Sequence, residues 1–217
     1  MDTNEREYDF PFNYLYKVLV FFLTKVIKIS TLLVLVSNIA WIAMAFYCLK
    51  KYNERHRNDL MQFAYVTFVI SAMNSAMNIT ELFYENVMTS MRSLLELLLA
   101  ALAFPCLTTA VWLNFDVAQK EVAWLHTVIG LIPTYIFLFQ HYTRQDLIDF
   151  TVVMNMVSLI GVGFLYQDLF AMAASVLFFL CYCGFFFRSE LVYEPGLKQI
   201  FNYCMAAFTF CGYKAVT

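Results

Sequence analysis

The stretch FAYVTFVISAMNSAMNITELF, residues 63–83, decides the fold. It is as long as a helix that crosses a bilayer, which takes about 20 predominantly apolar residues. Its one formal charge, Glu81, stands near its end. Thr67, Ser71, Asn74, Ser75, Asn78 and Glu81 recur at spacings of three and four, so on a helix they share about 120° of arc. Asparagines in the middle of a span are costly against lipid, and this face is therefore expected to look into a helical bundle or a hydrated cavity. Two uses of such a face are open: helix packing through small and amide side chains, or the lining of a substrate or ion path. Asn78-Ile79-Thr80 is also a glycosylation triplet, but its depth in the span argues against its use.

Working outward, apolar runs of helical length lie near 13–28, 29–49, 62–83, 91–113, 121–140, 149–165, 169–188 and 196–215. The 217 residues are 62% hydrophobic, 18% aromatic and 14% charged, a composition that a soluble domain could not hide from water. The fold class expected is all-α: a polytopic helical membrane bundle of seven or eight spans, one transmembrane domain over residues 1–217. The run at 13–28 leaves the number open. Lys17, Lys25 and Lys28 interrupt it and cluster on one side with Asn13 and Thr24, which fits either a span with snorkelling lysines or an amphipathic helix in the interface.

The one dense basic loop, Lys50 to Arg57, is assigned to the cytoplasm by the positive-inside rule. Eight spans then place both termini there, whereas seven place the N-terminus outside. Residues 1–13 lack the basic start of a cleavable signal, so insertion is expected to rest on the spans. The expected location is an internal membrane such as the endoplasmic reticulum. A net charge of −2 gives no reason to expect nucleic acid; membrane lipids are the expected partners, and protein partners are left unspecified.

Candidate chemistry is sparse. Cys48, Cys106, Cys181, Cys183, Cys204 and Cys211 all fall in apolar runs, where thiols behave as small hydrophobes, and no metal or cofactor is expected. Arg92 precedes Glu96 by four residues and can pair with it on one face. His126 lies within the fifth run, and His141 with Arg144 at that run's far end. Asn155 and Ser158 give the sixth run a smaller polar face, as Asn202 and Tyr203 do for the last. Arg188 to Gly196 reads as a turn ended by Pro195-Gly196. Thr67, Ser71, Asn74, Asn78, Asn155 and Asn202 are the residues expected to line a cavity.

The order of elements resembles the lysoplasmalogenase-like family of small eight-span membrane proteins. Val66 to Ala76 looks like that family's third-helix segment, which ends in Gly-Asp where Asn74-Ser75 stands here. Leu177 to Cys183 looks like its seventh-helix segment, which ends in Ser-Asp where this chain has Tyr182-Cys183. Asn202-Tyr203-Cys204-Met205-Ala206 falls where the family has Tyr-Tyr-x-x-Gln. The resemblance implies an intramembrane pocket and acid/base hydrolysis of the vinyl-ether bond of lysoplasmalogens by two aspartates. Ser75 and Cys183 occupy the aspartate positions and cannot replace two carboxylates; Glu81 is the nearest substitute on the same face. A shorter resemblance is to the androgen-induced membrane hydrolases, which use an intramembrane threonine and histidine. Ser30-Thr31-Leu32, Leu102-Ala103-Phe104-Pro105 and His126-Thr127 carry it, and it implies Thr31 as nucleophile with His126. The opposing class is a non-enzymatic lipid-binding, transport or accessory membrane protein, which the missing aspartates favour.

Overall fold

The computed structural model describes residues 12–55, 62–84, 89–117, 119–186 and 195–217, with side chains from residue 30 onward except at 89, 185, 186 and 195. His56 and Arg57 of the basic loop, the side chains of Lys17, Lys25 and Lys28, and most of the turn at 188–194 lie outside the described residues. Every described element is helical. In chain order they are α1 (Phe12–Arg55), α2 (Phe63–Phe83), α3 (Thr89–Leu98), a π-turn (Leu99–Ala103), α4 (Phe104–Asn114), α5 (Lys120–Gln140), α6 (Gln145–Leu165), α7 (Leu169–Cys181), a second π-turn (Tyr182–Phe186) and α8 (Pro195–Ala215). The two π-turns continue α3 into α4 and extend α7, so the described residues form seven rods.

Eight separate helices are therefore not seen among the described residues. The expected break between residues 28 and 29 is absent, because α1 runs unbroken through 44 residues. Neither proline nor glycine occurs between Phe12 and Arg55, and lysines on a helix surface do not stop it. At 1.5 Å per residue this rod is about 66 Å long, roughly twice the hydrocarbon core. Among the residues with described side chains, four segments are long and apolar enough to cross a membrane: Ser30–Arg55 of α1, Ser90–Asn114, Lys120–Gln140 and Gln145–Leu165. A shorter apolar helix covers Leu169–Gly184.

The π-turn after α3 has a covalent cause. Pro105 has no N–H to offer the carbonyl four residues back, and its ring crowds that carbonyl. The chain widens ahead of it, so that the Phe104 N–H reaches the Leu99 carbonyl five residues earlier. Helix α5 then packs directly on the widened turn through Gly130. A Cβ there would stand 2.0 Å from the Ala101 carbonyl oxygen and 2.9 Å from Pro105 Cγ. Close backbone approach through a small residue is how membrane helices gain packing energy without a hydrophobic drive.

Helix α1 packs on α2 and α8, α8 also on α7, and α6 on α7, α4 and α5. Tyr52 meets Phe68, and Ser75 meets Asn38, so α1 and α2 run antiparallel; Ser37 meets Asn202 and Cys48 meets Thr209, so α1 and α8 run parallel. At the centre, Phe104 stacks on Phe178 with ring centroids 4.2 Å apart, and Phe208 closes the trio, tying α4, α7 and α8 together.

Gly130→Ala is expected to lower the thermal unfolding midpoint of the purified protein, at a cost of about 1–3 kcal/mol from overpacking. Gly161→Ala, where an added Cβ meets nothing within 4 Å, is expected to leave the midpoint unchanged or raise it. Equal midpoints for the two variants would refute the close packing of α5 on the π-turn.

Candidate functional site

The polar face of α2 is buried along its whole length: Thr67, Ser71, Asn74, Ser75 and Asn78 are each at most 6% exposed. Two of these residues serve helix packing. Thr67 Oγ1 donates to the Ala103 carbonyl in the π-turn at 2.6 Å, and Ser75 Oγ donates to the Asn38 carbonyl of α1 at 2.7 Å. Across from them, Asn202 of α8 donates through Nδ2 to Ser37 Oγ at 2.9 Å, and the Ser37 hydroxyl donates in turn to the Val34 carbonyl at 2.8 Å. Helices α1, α2 and α8 thus meet along polar surfaces, an arrangement favoured by lipid, which solvates none of these groups.

The match is incomplete. Asn38 Oδ1, Trp41 Nε1, Ser71 Oγ and Asn202 Oδ1 are buried and have no protein partner. Each buried polar atom without a partner costs about 1–3 kcal/mol. Four such atoms on three adjoining helices leave unspent capacity among them: two amide acceptors, one indole donor, and a hydroxyl able to do both.

At the end of the stripe Glu81 enters an ionic network. Arg92 of α3 donates to Glu81 through Nη1 at 3.2 and 3.3 Å and to Glu96 through Nε at 2.7 Å. Lys198 of α8 approaches Glu81 at 3.7 Å. The expected Arg92–Glu96 pair is present, but it is half of a four-residue cluster with balanced charge that ties α2, α3 and α8. Counted along α2, Asn78, Asn74 and Ser71 lie about 4, 10 and 15 Å inward from Glu81, so the stripe is a ladder leading from charged groups to the middle of the bundle.

The residues at the family's aspartate positions are differently used. Ser75 is spent on the α1 backbone. Cys183 is on the turn that extends α7, a helix packed on α6 and α8. Glu81 is engaged by both cations, and the other carboxylate, Glu96, connects to it through Arg92. Thr31 is on the exposed side of α1, whereas His126 is on α5, which packs on α4, the first π-turn and α6. His126 instead meets Ser158 of α6 at 2.7 Å. Asn155 is buried on α6, with its Nδ2 donating to the Thr151 carbonyl, and stands outside the α1–α2–α8 group.

Several participants went unnoticed in the sequence. Ser37 and Asn38 lie consecutively in an apolar run, a signal equal in kind to Asn74-Ser75. Trp41 and Lys198 carry no comparable pattern; only packing reveals them.

Arg92→Met is expected to destabilise the protein by about 1–2 kcal/mol, because two carboxylates then share one lysine. Adding Glu81→Gln should recover part of that loss, as a double-mutant cycle of melting midpoints would show. Full additivity would mean that the network is not energetically coupled.

Comparisons of the chain with models of known protein families, with curated proteins and with solved structures find no match. The site therefore rests on the chemistry and placement of its own residues.

Proposed function

We propose that this chain is a seven-span membrane protein that binds a single-chain lipid with a zwitterionic headgroup in the polar interior between α1, α2 and α8. The observation that carries the reading is the set of buried polar atoms without protein partners, Asn38 Oδ1, Trp41 Nε1, Ser71 Oγ and Asn202 Oδ1, at the inner end of a polar ladder. Hydroxyl, ester or ether groups next to a lipid headgroup offer the donors and acceptors that these atoms lack. The outer end supports the headgroup assignment. Arg92 and Lys198 suit a phosphate, Glu81 and Glu96 suit an ammonium group, and the balanced network gives neither charge an advantage.

For this interior, binding is preferred over vinyl-ether hydrolysis, because among the described residues it offers no pair of carboxylates to exchange a proton with the substrate. With Lys50, Lys51 and Arg55 closing α1 at the cytoplasmic side, seven spans place the N-terminus and the ionic network on the opposite side. A lipid would then reach the ladder from the non-cytoplasmic leaflet.

Native mass spectrometry of the purified protein with an ether-linked 1-alkyl lysophosphatidylcholine, which carries no acyl ester, tests the reading. Wild type is expected to retain the lipid, and Ser71→Ala with Asn202→Leu to weaken binding about tenfold or more, equivalent to 1.4 kcal/mol. The Ser71→Ala change alone should keep or raise the melting midpoint, since it deletes an orphaned hydroxyl. Undiminished lipid retention by the double variant would reject the interior as the binding site.

A further inference from the structure

A second cluster lies between α4, α5 and α6, apart from the α1–α2–α8 interior and independent of the lipid-binding reading. His126 Nδ1 stands 3.0 Å from the Ala123 carbonyl oxygen. A carbonyl can only accept, so Nδ1 carries the imidazole proton and Nε2 presents its lone pair. Nε2 is 2.7 Å from Ser158 Oγ, and the serine must therefore be the donor. The Ala123 carbonyl that orients the ring is itself fixed by the Thr109 hydroxyl at 3.1 Å. Nucleophile, base and orienting group are thus in sequence.

Among the described helical hydroxyls, Thr67, Ser75, Thr109 and Ser175 donate to carbonyls of neighbouring helices, whereas Ser158 has an imidazole nitrogen as its partner. Thr80, Thr108, Thr134, Thr151 and Thr209 each donate to the carbonyl four residues earlier, the usual resting place of such a group in a membrane helix. Ser158 donates to a base on another helix. Trp112 packs against the imidazole with centroids 4.8 Å apart, and its buried indole Nε1–H has no protein acceptor. It is a donor available for charge that develops beside the dyad.

The surroundings define what can arrive. His126 and Ser158 are half-buried, and their chain neighbours Leu125, Val128, Met154 and Val157 are exposed apolar side chains. His126 lies about 9 Å along α5 from Lys120, and Ser158 about 10 Å along α6 from Leu165, so both are a short way inside the same end of the bundle. At that level, about a third of the way along two 21-residue helices, the pair is open between apolar side chains to a lipid ester that dips below the headgroups.

We propose that Ser158 and His126 form an intramembrane nucleophile–base pair that hydrolyses acyl esters of membrane lipids. Ser158 Oγ attacks the ester carbonyl carbon while its proton passes to His126 Nε2. Trp112 Nε1–H donates to the oxyanion. The C–O bond to the alcohol breaks, and the alcohol takes the proton from Nε2, leaving an acyl ester on Ser158. Water then attacks that ester, giving its proton to Nε2; the bond to Oγ breaks, Oγ recovers the proton, and the carboxylic acid leaves. Thr31 has no part in this chemistry.

The test is labelling of the purified full-length protein with a fluorophosphonate, with the modified peptide identified by mass spectrometry, beside hydrolysis of a short-chain monoacylglycerol ester. Wild type is expected to carry the label on Ser158 and to hydrolyse the ester. His126→Gln, which keeps a hydrogen-bonding side chain, should slow both about 100-fold or more, and Thr31→Ala should slow neither. Melting midpoints within a few degrees of wild type separate lost chemistry from lost fold. Wild-type protein that is folded yet neither labelled at Ser158 nor active on the ester would overturn the proposal and leave the pair as interhelical packing. Labelling on Thr31 instead would overturn it equally.

Discussion

A polar face on a helix surrounded by lipid must be covered, and the architecture follows from how α2 meets that demand. Its stripe is covered by polar groups of α1 and α8 and by the π-turn ahead of α4, through bonds such as Ser75 to the Asn38 carbonyl and Thr67 to the Ala103 carbonyl. Burial of apolar area distinguishes few arrangements among membrane helices, since lipid tails are as apolar as leucine. Polar complementarity and close approach therefore select the neighbours. The α1–α2–α8 group is selected mainly by the first, and the α4–α5 contact at Gly130 by the second.

These two devices meet at the first π-turn. Pro105 widens the helix, the widened turn admits Gly130 on one side, and the Ala103 carbonyl is bonded by Thr67 on another. A single proline thus links the polar group of helices to the group that holds His126 and Ser158. The four buried atoms left without partners in the α1–α2–α8 interior stand out against this economy, since apolar substitution would remove their cost.

Much of this was legible in residues 63–83, because periodicity is a local property: spacings of three and four set one face whatever lies around it. The ranges of α2, α5, α6, α8 and α7 taken with its π-turn follow the apolar runs to within about a turn for the same reason. The join between the first two runs was misread because Lys25 and Lys28 resemble a boundary in hydropathy, although neither interrupts backbone hydrogen bonding. Contacts between distant helices are not encoded by any period. Nothing local pairs His126 with Ser158, brings Lys198 to Glu81, or sets Trp41 beside Phe201. For the same reason Thr31 was the natural companion for His126 in a sequence motif and is not the one that packing provides.

The central claim is that the α2 stripe faces a polar interior reached from its Glu81 end. Single cysteines at Asn78, Ser71 and Met73, introduced into a cysteine-free background in sealed vesicles of known orientation, can be exposed to a charged, membrane-impermeant thiol reagent. Asn78→Cys is predicted to react from the non-cytoplasmic side, Ser71→Cys more slowly from that side, and Met73→Cys, 49% exposed on the lipid face, not at all. Unreactive cysteines at 78 and 71 beside a reactive one at Tyr84, just beyond the end of α2, would contradict the account and mark the stripe as closed packing.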